Sequence, residues 1–376
     1  MDEQELITLR EAVVGLKRRA DESQDTARDL FAPMFRANDR KAPGDFVDSS
    51  YLYMRSCDID QGFRPSPCRT FWNSPDLEVE AISNQGLLTP TLIAGNRYRL
   101  NATVRNRGDL AVPAAKVEFW LANPSLGMDT RFATKLGVAQ GRVQAHGATK
   151  IGLDYEVPPT LAGHFCLFAR VFSFAPLDTP VSDYALDPNI DRHVAQLNLN
   201  IVAPSQAMMV NWIHHRNAQE TVMLLPMMPA EQRALRHELL TPLRLVSSRA
   251  AAEIGGRAKL EAVLPEVEGM RIAVEQTDEG LRLVSRDPDA VSIEAQMRLT
   301  KRVTTILQNE DGMPPAERRK LMAEYRAMTA QTVRTEVQLH LPDVALEKGQ
   351  AAAFQLLRRN EVSGEITGGV TIYLTP

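Results

Sequence analysis

The stretch Tyr98-Arg99-Leu100-Asn101-Ala102-Thr103-Val104, closed by Asn106-Arg107-Gly108-Asp109, decides the fold class. Its apolar and polar side chains alternate with a period of two, so one face meets a core and the other meets water. Turn-forming residues then stop the run. The same alternation runs through Leu77-Glu78-Val79-Glu80-Ala81, Val117-Glu118-Phe119-Trp120-Leu121 and Val194-Ala195-Gln196-Leu197-Asn198-Leu199-Asn200-Ile201. Asn123-Pro124-Ser125-Leu126-Gly127, Pro158-Pro159 and Asp187-Pro188-Asn189 punctuate these runs at the spacing of an antiparallel sandwich. Residues 163–174, with Phe165-Cys166-Leu167-Phe168 inside them, read as a strand apolar on both faces or as a bulged central strand, which two packed sheets would bury.

Outward from this region the pattern repeats. Residues 208–213, 221–225, 258–264, 270–275, 280–285, 335–341, 351–357 and 369–374 read as strands of a second sandwich. Residues 229–239 and 291–332 break it with helical character. In the longer excursion Ile293, Met297, Val303, Ile306 and Leu307 form one apolar stripe, and Leu321, Met322, Tyr325 and Met328 form another. Asp311-Gly312 and Pro314-Pro315 separate them, which predicts a helical hairpin inserted in a β domain. At the other end, Leu6, Leu9, Val13 and Leu16 begin a 3,4-spaced seam that continues through Ala20, Ser23, Ala27, Leu30 and Met34. Such a seam fits a partner helix, and equally a single amphipathic helix lying on its own domain. The expected division is an arm and linker over 1–46, a sandwich over 47–203, and a second sandwich over 204–376 with the helical insertion at about 288–333.

Composition narrows the function classes. The chain has 376 residues, with 43 Lys and Arg against 47 Asp and Glu, so it has no overall basic field for a phosphate backbone. Charges or prolines interrupt every apolar run before it reaches the length of a membrane-spanning helix. The acidic start, Met1-Asp2-Glu3-Gln4-Glu5, lacks the basic segment and apolar run of a secretory signal, so the expected location is the cytoplasm or an assembled particle. Of three cysteines, Cys166 reads as a buried free thiol. Cys57 and Cys68 flank a turn-rich loop and could pair, but a cytoplasmic chain would keep them reduced.

A family resemblance follows from motifs in order. Ser74-Pro75-Asp76-Leu77-Glu78-Val79, Gly95-Asn96-Arg97-Tyr98, Val104-Arg105-Asn106-Arg107-Gly108 and Ala114-Ala115-Lys116-Val117-Glu118-Phe119-Trp120 resemble the CARDB-type bacterial immunoglobulin-like domains. Residues 163–171 look like that family's penultimate strand and 191–202 like its last. The match covers about residues 70–203, while the second half is only generically immunoglobulin-like. The resemblance implies a sandwich used as a spacer or adhesion module, with no catalytic residues to carry over. The expected fold class is therefore mainly β: two immunoglobulin-like antiparallel β-sandwich domains, an N-terminal helix and a helical hairpin in the second domain.

Candidate chemistry is sparse. Asp58-Ile59-Asp60-Gln61-Gly62 has the start of a calcium loop but lacks the later ligands. Asp183 and Asp187, with Asp178 and Asp191, form an acidic loop that turn chemistry also explains. Asp58, Asp60, Asp183 and Asp187 are the calcium candidates, and no other cofactor is expected. His214-His215 point to opposite faces of a strand and cannot easily share one metal. No nucleophile elbow, phosphate loop or dinucleotide fingerprint occurs. Met208, Met209, Met223, Met227 and Met228 gather near Trp212, as core filling or as an adaptable surface. The expected function is a non-enzymatic structural or adaptor protein that joins protein partners or copies of itself, with Leu6, Leu9, Val13 and Leu16 as contact residues. The alternative is a carbohydrate- or ligand-binding module, possibly calcium-dependent, with Phe71, Trp72 and Tyr184 as stacking residues.

Overall fold

The computed structural model describes residues 48–82, 87–88, 91–92, 94–161, 163–227, 243–308 and 314–376. The heptad seam with Leu6, Leu9, Val13 and Leu16, and the expected helix at 229–239, lie outside them. Within the described residues the chain is mainly β, as the alternation predicts. Strand Arg97–Asn106 carries Ala148–Glu156 on one edge and Leu77–Ala81 with Leu52–Tyr53 on the other. Facing this sheet, strand Cys166–Phe174 lies between Val112–Ala122 and Val194–Leu197, with Thr134–Val143 beyond. Tyr98, Leu100, Val104, Val117, Phe119, Leu167 and Val171 fill the space between the layers. Strand Cys166–Phe174 is buried on both faces over much of its length, with Met128 and Leu186 from the loops 128–133 and 182–187 packed on Cys166 and Phe168 at its outer side.

The second half forms two further sheets. One runs in the order Leu199–Val202, Ile366–Leu374, Gln350–Asn360, Ala218–Pro226, Gly280–Arg286, Arg271–Thr277. The other runs Lys259–Val263, Thr332–His340, Ala207–His215, Ser125–Leu126. Trp212, Val210, Val337, Phe354 and Ile372 pack between them. Met208, Met223 and Met227 are buried and Met209 is exposed, while Met228 lies outside the described residues, so the described methionines fill cores more than they form a surface. Helices Ile293–Gln308 and Pro315–Thr329 lie between strands Gly280–Arg286 and Thr332–His340, with Pro315 in the first turn of the second helix. A short helix, Ser248–Gly255, was not expected; Ser247 caps it by accepting from the Ala250 amide.

One strand departs from the expected pattern. The alternation predicts a single strand from Val194 to Ile201, but it divides at Asn198. Val194–Leu197 pairs with Cys166–Phe174, whereas Leu199–Val202 runs parallel to Ile366–Leu374 in the other half. Ser125–Leu126 likewise leaves the first half to pair with Asn211 and Trp212. Asn198 holds the switch point. Its amide nitrogen donates to the carbonyls of Ser125 and Gly369, each at 2.8 Å, and its backbone bonds Trp72 and Thr371. Trp72 is fully buried, donates Nε1–H to Thr371 Oγ1, and lies so close to Gly369 that a Cβ there would sit 2.5 Å from its ring. Phe71 packs edge-on against it.

Removing this indole should be expensive. Trp72→Ala is expected to lower unfolding free energy by about 3–5 kcal/mol in urea titration, the range for an emptied aromatic core site; a loss below about 1 kcal/mol would mean that Trp72 does not join the two halves.

Candidate functional site

A buried group of ionisable side chains lies in the loop expected to hold calcium. Asp178 follows strand Cys166–Phe174, and Asp191 to His193 precede strand Val194–Leu197, so the sheet brings the ends of the loop together. His193 is buried, with Nδ1 2.7 Å from Asp191 Oδ1 and Nε2 2.7 Å from Asp178 Oδ1. Two carboxylates can both accept from one ring only if both nitrogens carry protons, so this geometry favours the imidazolium form. Arg192 donates to Asp178 Oδ1 at 2.8 Å, and its guanidinium stacks 4.1 Å from the centre of the Tyr51 ring. The Leu52 amide donates to Asp178 Oδ2, and the amides of Val181 and His193 donate to Asp191.

Burial alone would push both carboxyls up and the imidazole down. The opposite charges win. Arg192 and His193 hold Asp178 below the usual carboxylate range, and His193 draws Asp191 down to about 2. Burial and Arg192 depress His193, but Asp191 and Asp178 overcome them and raise it above its ordinary value. The cluster joins the first sandwich to the helical hairpin, because Val181 and Ile190 of the same loop pack on Val303, Leu321, Tyr325 and Met328. Ser182 Oγ also meets Thr329 Oγ1 at 2.8 Å.

The individual calcium candidates are distributed as follows. Asp60 is buried, and both of its oxygens meet protein donors: Ser56 amide and hydroxyl, the Gly62 amide, and Arg64 Nη1 at 3.0 and 3.1 Å. Asp58 is exposed and faces Arg55 at 4.0 Å. Asp183 is exposed; its carbonyl accepts from Arg170 and Thr130. Asp187 accepts from the Asn189 amide. The structure thus brings Asp178 and Asp191 together around a histidine that the sequence reading passed over, while Asp58 and Asp60 do not converge. Among the described residues no group of three or more His, Cys, Asp or Glu side chains is placed to hold a metal ion. The His193 cluster had one signal in the sequence, the run Asp191-Arg192-His193 inside an Asp-rich loop.

Two further expectations change. Phe71 and Trp72 are core residues and present no stacking surface; of the proposed trio only Tyr184 is partly exposed, with Arg131 stacked on its ring. Cys57 and Cys68, expected to stay reduced in a cytoplasmic chain, form a disulfide with a Cα separation of 6.4 Å. The loop between them encloses the buried Asp60–Arg64 ion pair at 3.0 Å. Cys166 is free and buried.

No protein-family model matches the sequence, and no curated protein matches it. Three solved structures show distant similarity. The CARDB domain of a Pyrococcus furiosus protein, solved in complex with di-metal ions, is 16% identical, covers 37% of this chain and 95% of its own, and has a TM-score of 0.22. The C-terminal domain of the Streptococcus pyogenes antigen I/II-family protein AspA is 6% identical, covers 79% of this chain and 99% of its own, with a TM-score of 0.17. The CupB6 tip adhesin of Pseudomonas aeruginosa is 8% identical, covers 87% and 99%, with a TM-score of 0.17. Among the described residues no helix is long and apolar enough to cross a membrane.

Two measurements check this geometry. His193→Leu leaves Asp178 and Asp191 buried without their shared cation, so the variant should lose about 3–5 kcal/mol near pH 5.5. The raised imidazole pKa gives stabilisation that is complete below about 6.5 and fades as pH rises through the folded value. The lowered carboxyl pKa values give stabilisation present above about 3.8 and lost as pH falls toward 2. The gap between wild type and variant in denaturant titrations should therefore be widest between these limits, and a gap that is flat from pH 3 to 9 would contradict the imidazolium. Thiol titration with Ellman's reagent should find none in the native protein, only Cys166 after denaturation, and all three cysteines after reduction; three thiols without reductant would contradict the disulfide.

Proposed function

We propose that this chain is a non-enzymatic structural or adaptor protein that assembles with other protein chains through the edges of its sheets. The observation that carries the reading is strand sharing. Each sheet of the second half is completed at one end by a strand from the first half, Leu199–Val202 in one and Ser125–Leu126 in the other. At the opposite ends lie Arg271–Thr277 and Lys259–Val263, whose outer edges pair with no strand among the described residues. Unpaired backbone amides and carbonyls there offer a further strand the same interaction that already joins the halves. Val263 is 56% exposed and Leu264 is 43% exposed beside that edge, while Lys259 and Glu261 guard it against indiscriminate pairing.

The buried charges support attachment rather than turnover. Asp60, Asp178, Asp191 and His193 are bonded to protein groups, as are Asp76 with Arg55 and Arg105, and Glu118 with Arg170 and Lys135. A general acid or base needs a proton that substrate can reach, and these are enclosed. The arm over 1–46, with Leu6, Leu9, Val13 and Leu16, supplies a second contact in this reading. The motif order of residues 70–203 supports a CARDB-like spacer role for the 47–203 domain, and the disulfide supports a particle exposed to oxidising surroundings.

Size-exclusion chromatography with light scattering tests the reading on the full chain. Concentration-dependent association is expected, weakened by Val263→Glu with Leu264→Glu and by deletion of residues 1–40. A monomer up to the solubility limit, or association untouched by either change, would overturn it.

A further inference from the structure

Outside the cluster and the edges of the second half, strand Ala148–Glu156 leaves one more backbone edge open. It pairs with Arg97–Asn106 on one side in an unbroken register, and with no strand on the other among the described residues. At the two ends of this pairing the Asn106 amide donates to the Gly147 carbonyl and the Val157 amide donates to the Asn96 carbonyl. An antiparallel ladder bonds every second residue to the same neighbour, so Thr149, Ile151, Leu153 and Tyr155 bond inward. The amides and carbonyls of Ala148, Lys150, Gly152, Asp154 and Glu156 therefore point to the open edge, and all five residues are exposed. A groove of about 670 Å³ runs beside them, with Lys150, Gly152 and Asp154 on one side and Val138 and Gln140 on the other. The apolar side of the strand is already covered. Gly137 and Gly141 of Thr134–Val143 lie so near Leu153 and Ile151 that a Cβ at either glycine would sit 2.9 Å from a side-chain carbon.

The charges on this edge select its partner. Charged side chains on an open edge ordinarily discourage a further strand. Here their order is self-complementary. When the strand is laid antiparallel on a copy of itself over its full length, Ala148 meets Glu156, Lys150 meets Asp154 and Gly152 meets Gly152. Every residue whose backbone points outward then faces another such residue, as the ladder requires. Lys150 stands opposite Asp154 of the second copy twice, once on each side of a two-fold axis through Gly152. A shift by two residues in either direction shortens the overlap and sets Asp154 against Gly152 or Ala148 instead. Within one copy Arg99 bonds Asp154 at 2.7 Å, and Lys150 lies 2.6 Å from Glu78 and 3.8 Å from Glu80. The new pair extends this row with its signs alternating, from Arg99 and Asp154 of one copy to Lys150 and Glu78 of the other.

We infer that the outer edge of Ala148–Glu156 pairs with the same edge of a second copy of this chain, joining two first sandwiches into a two-fold dimer. This contact is separate from the edges of Arg271–Thr277 and Lys259–Val263 and does not depend on them. Sedimentation equilibrium of the full chain tests it by charge exchange. Lys150→Asp and Asp154→Lys each set two pairs of like charges face to face, and each should weaken the dimer at least about tenfold. Mixed one to one, the two variants recover both attractions in a heterodimer, and the affinity should return to within about threefold of wild type. Both positions are exposed, so each variant should melt near the wild-type temperature, and recovery in the mixture requires folded chains. The inference is overturned by a wild-type chain that stays monomeric, by either variant dimerising like wild type, or by a mixture as weak as its components. Association that survives both charge changes but is lost with Val263→Glu and Leu264→Glu removes this contact and leaves the edges of the second half standing. The opposite pattern keeps this contact and removes those.

Discussion

The carboxamide of Asn198 is the interaction on which the rest of this architecture depends. It sits where one strand leaves the first pair of sheets and enters the second, and it is completely buried. Its nitrogen reaches Ser125 and Gly369, two backbone carbonyls that belong to different halves of the chain. A buried amide must find partners or destabilise the fold, so this one side chain fixes the distance between the halves. Trp72 then closes the seam by lying on Gly369 and bonding Thr371, an arrangement that only a residue without a side chain at 369 permits. Arg358 extends it, donating to the carbonyls of Leu126 and Ile213.

A second set of contacts works at the other side of the first sandwich. The Asp178–His193–Asp191 cluster braces the loop that carries Val181 and Ile190 against the helices, and Arg131 bonds Asp129, Thr332 and the Ala330 carbonyl beside them. Buried charge of this kind adds less to net stability than its short distances suggest, because desolvation opposes it. Its consequence is geometric: each partner left alone would be costly, so the loop has one conformation that satisfies all of them. The described residues thus form a block held at two seams, with the outer edges of Arg271–Thr277 and Lys259–Val263 unpaired among them.

Much of this was legible from residue patterns. Period-two runs located most of the long strands of both halves, including those within 97–106, 207–215 and 366–374, since half-buried antiparallel strands write their faces into the sequence, but not Thr134–Val143 or Ala148–Glu156, whose runs carry few large apolar residues. The paired stripes with Pro315 marked the helices. What escaped notice was long-range. Nothing local distinguishes Asn198 from its neighbours Gln196 and Asn200 in an alternating run, yet it alone sits at the change of sheet. Trp72 beside Asn73-Ser74-Pro75 looks as much like a loop aromatic as a core one until Gly369, almost three hundred residues away, is placed beneath it. The Asp-rich loop suggested a cation, and the cations present are Arg192 and His193, whose approach depends on a strand pairing that no spacing rule reveals. The expected compartment argues against the Cys57–Cys68 bond, and the burial of the Asp60–Arg64 pair inside that loop is invisible to a four-residue spacing.

If shared strands and the Asn198 carboxamide make one cooperative unit, differential scanning calorimetry of the intact chain should show it directly. The account predicts one endotherm in wild type whose calorimetric and van't Hoff enthalpies agree, and two separated endotherms in Asn198→Ala. Two independent transitions in the wild-type protein would contradict it.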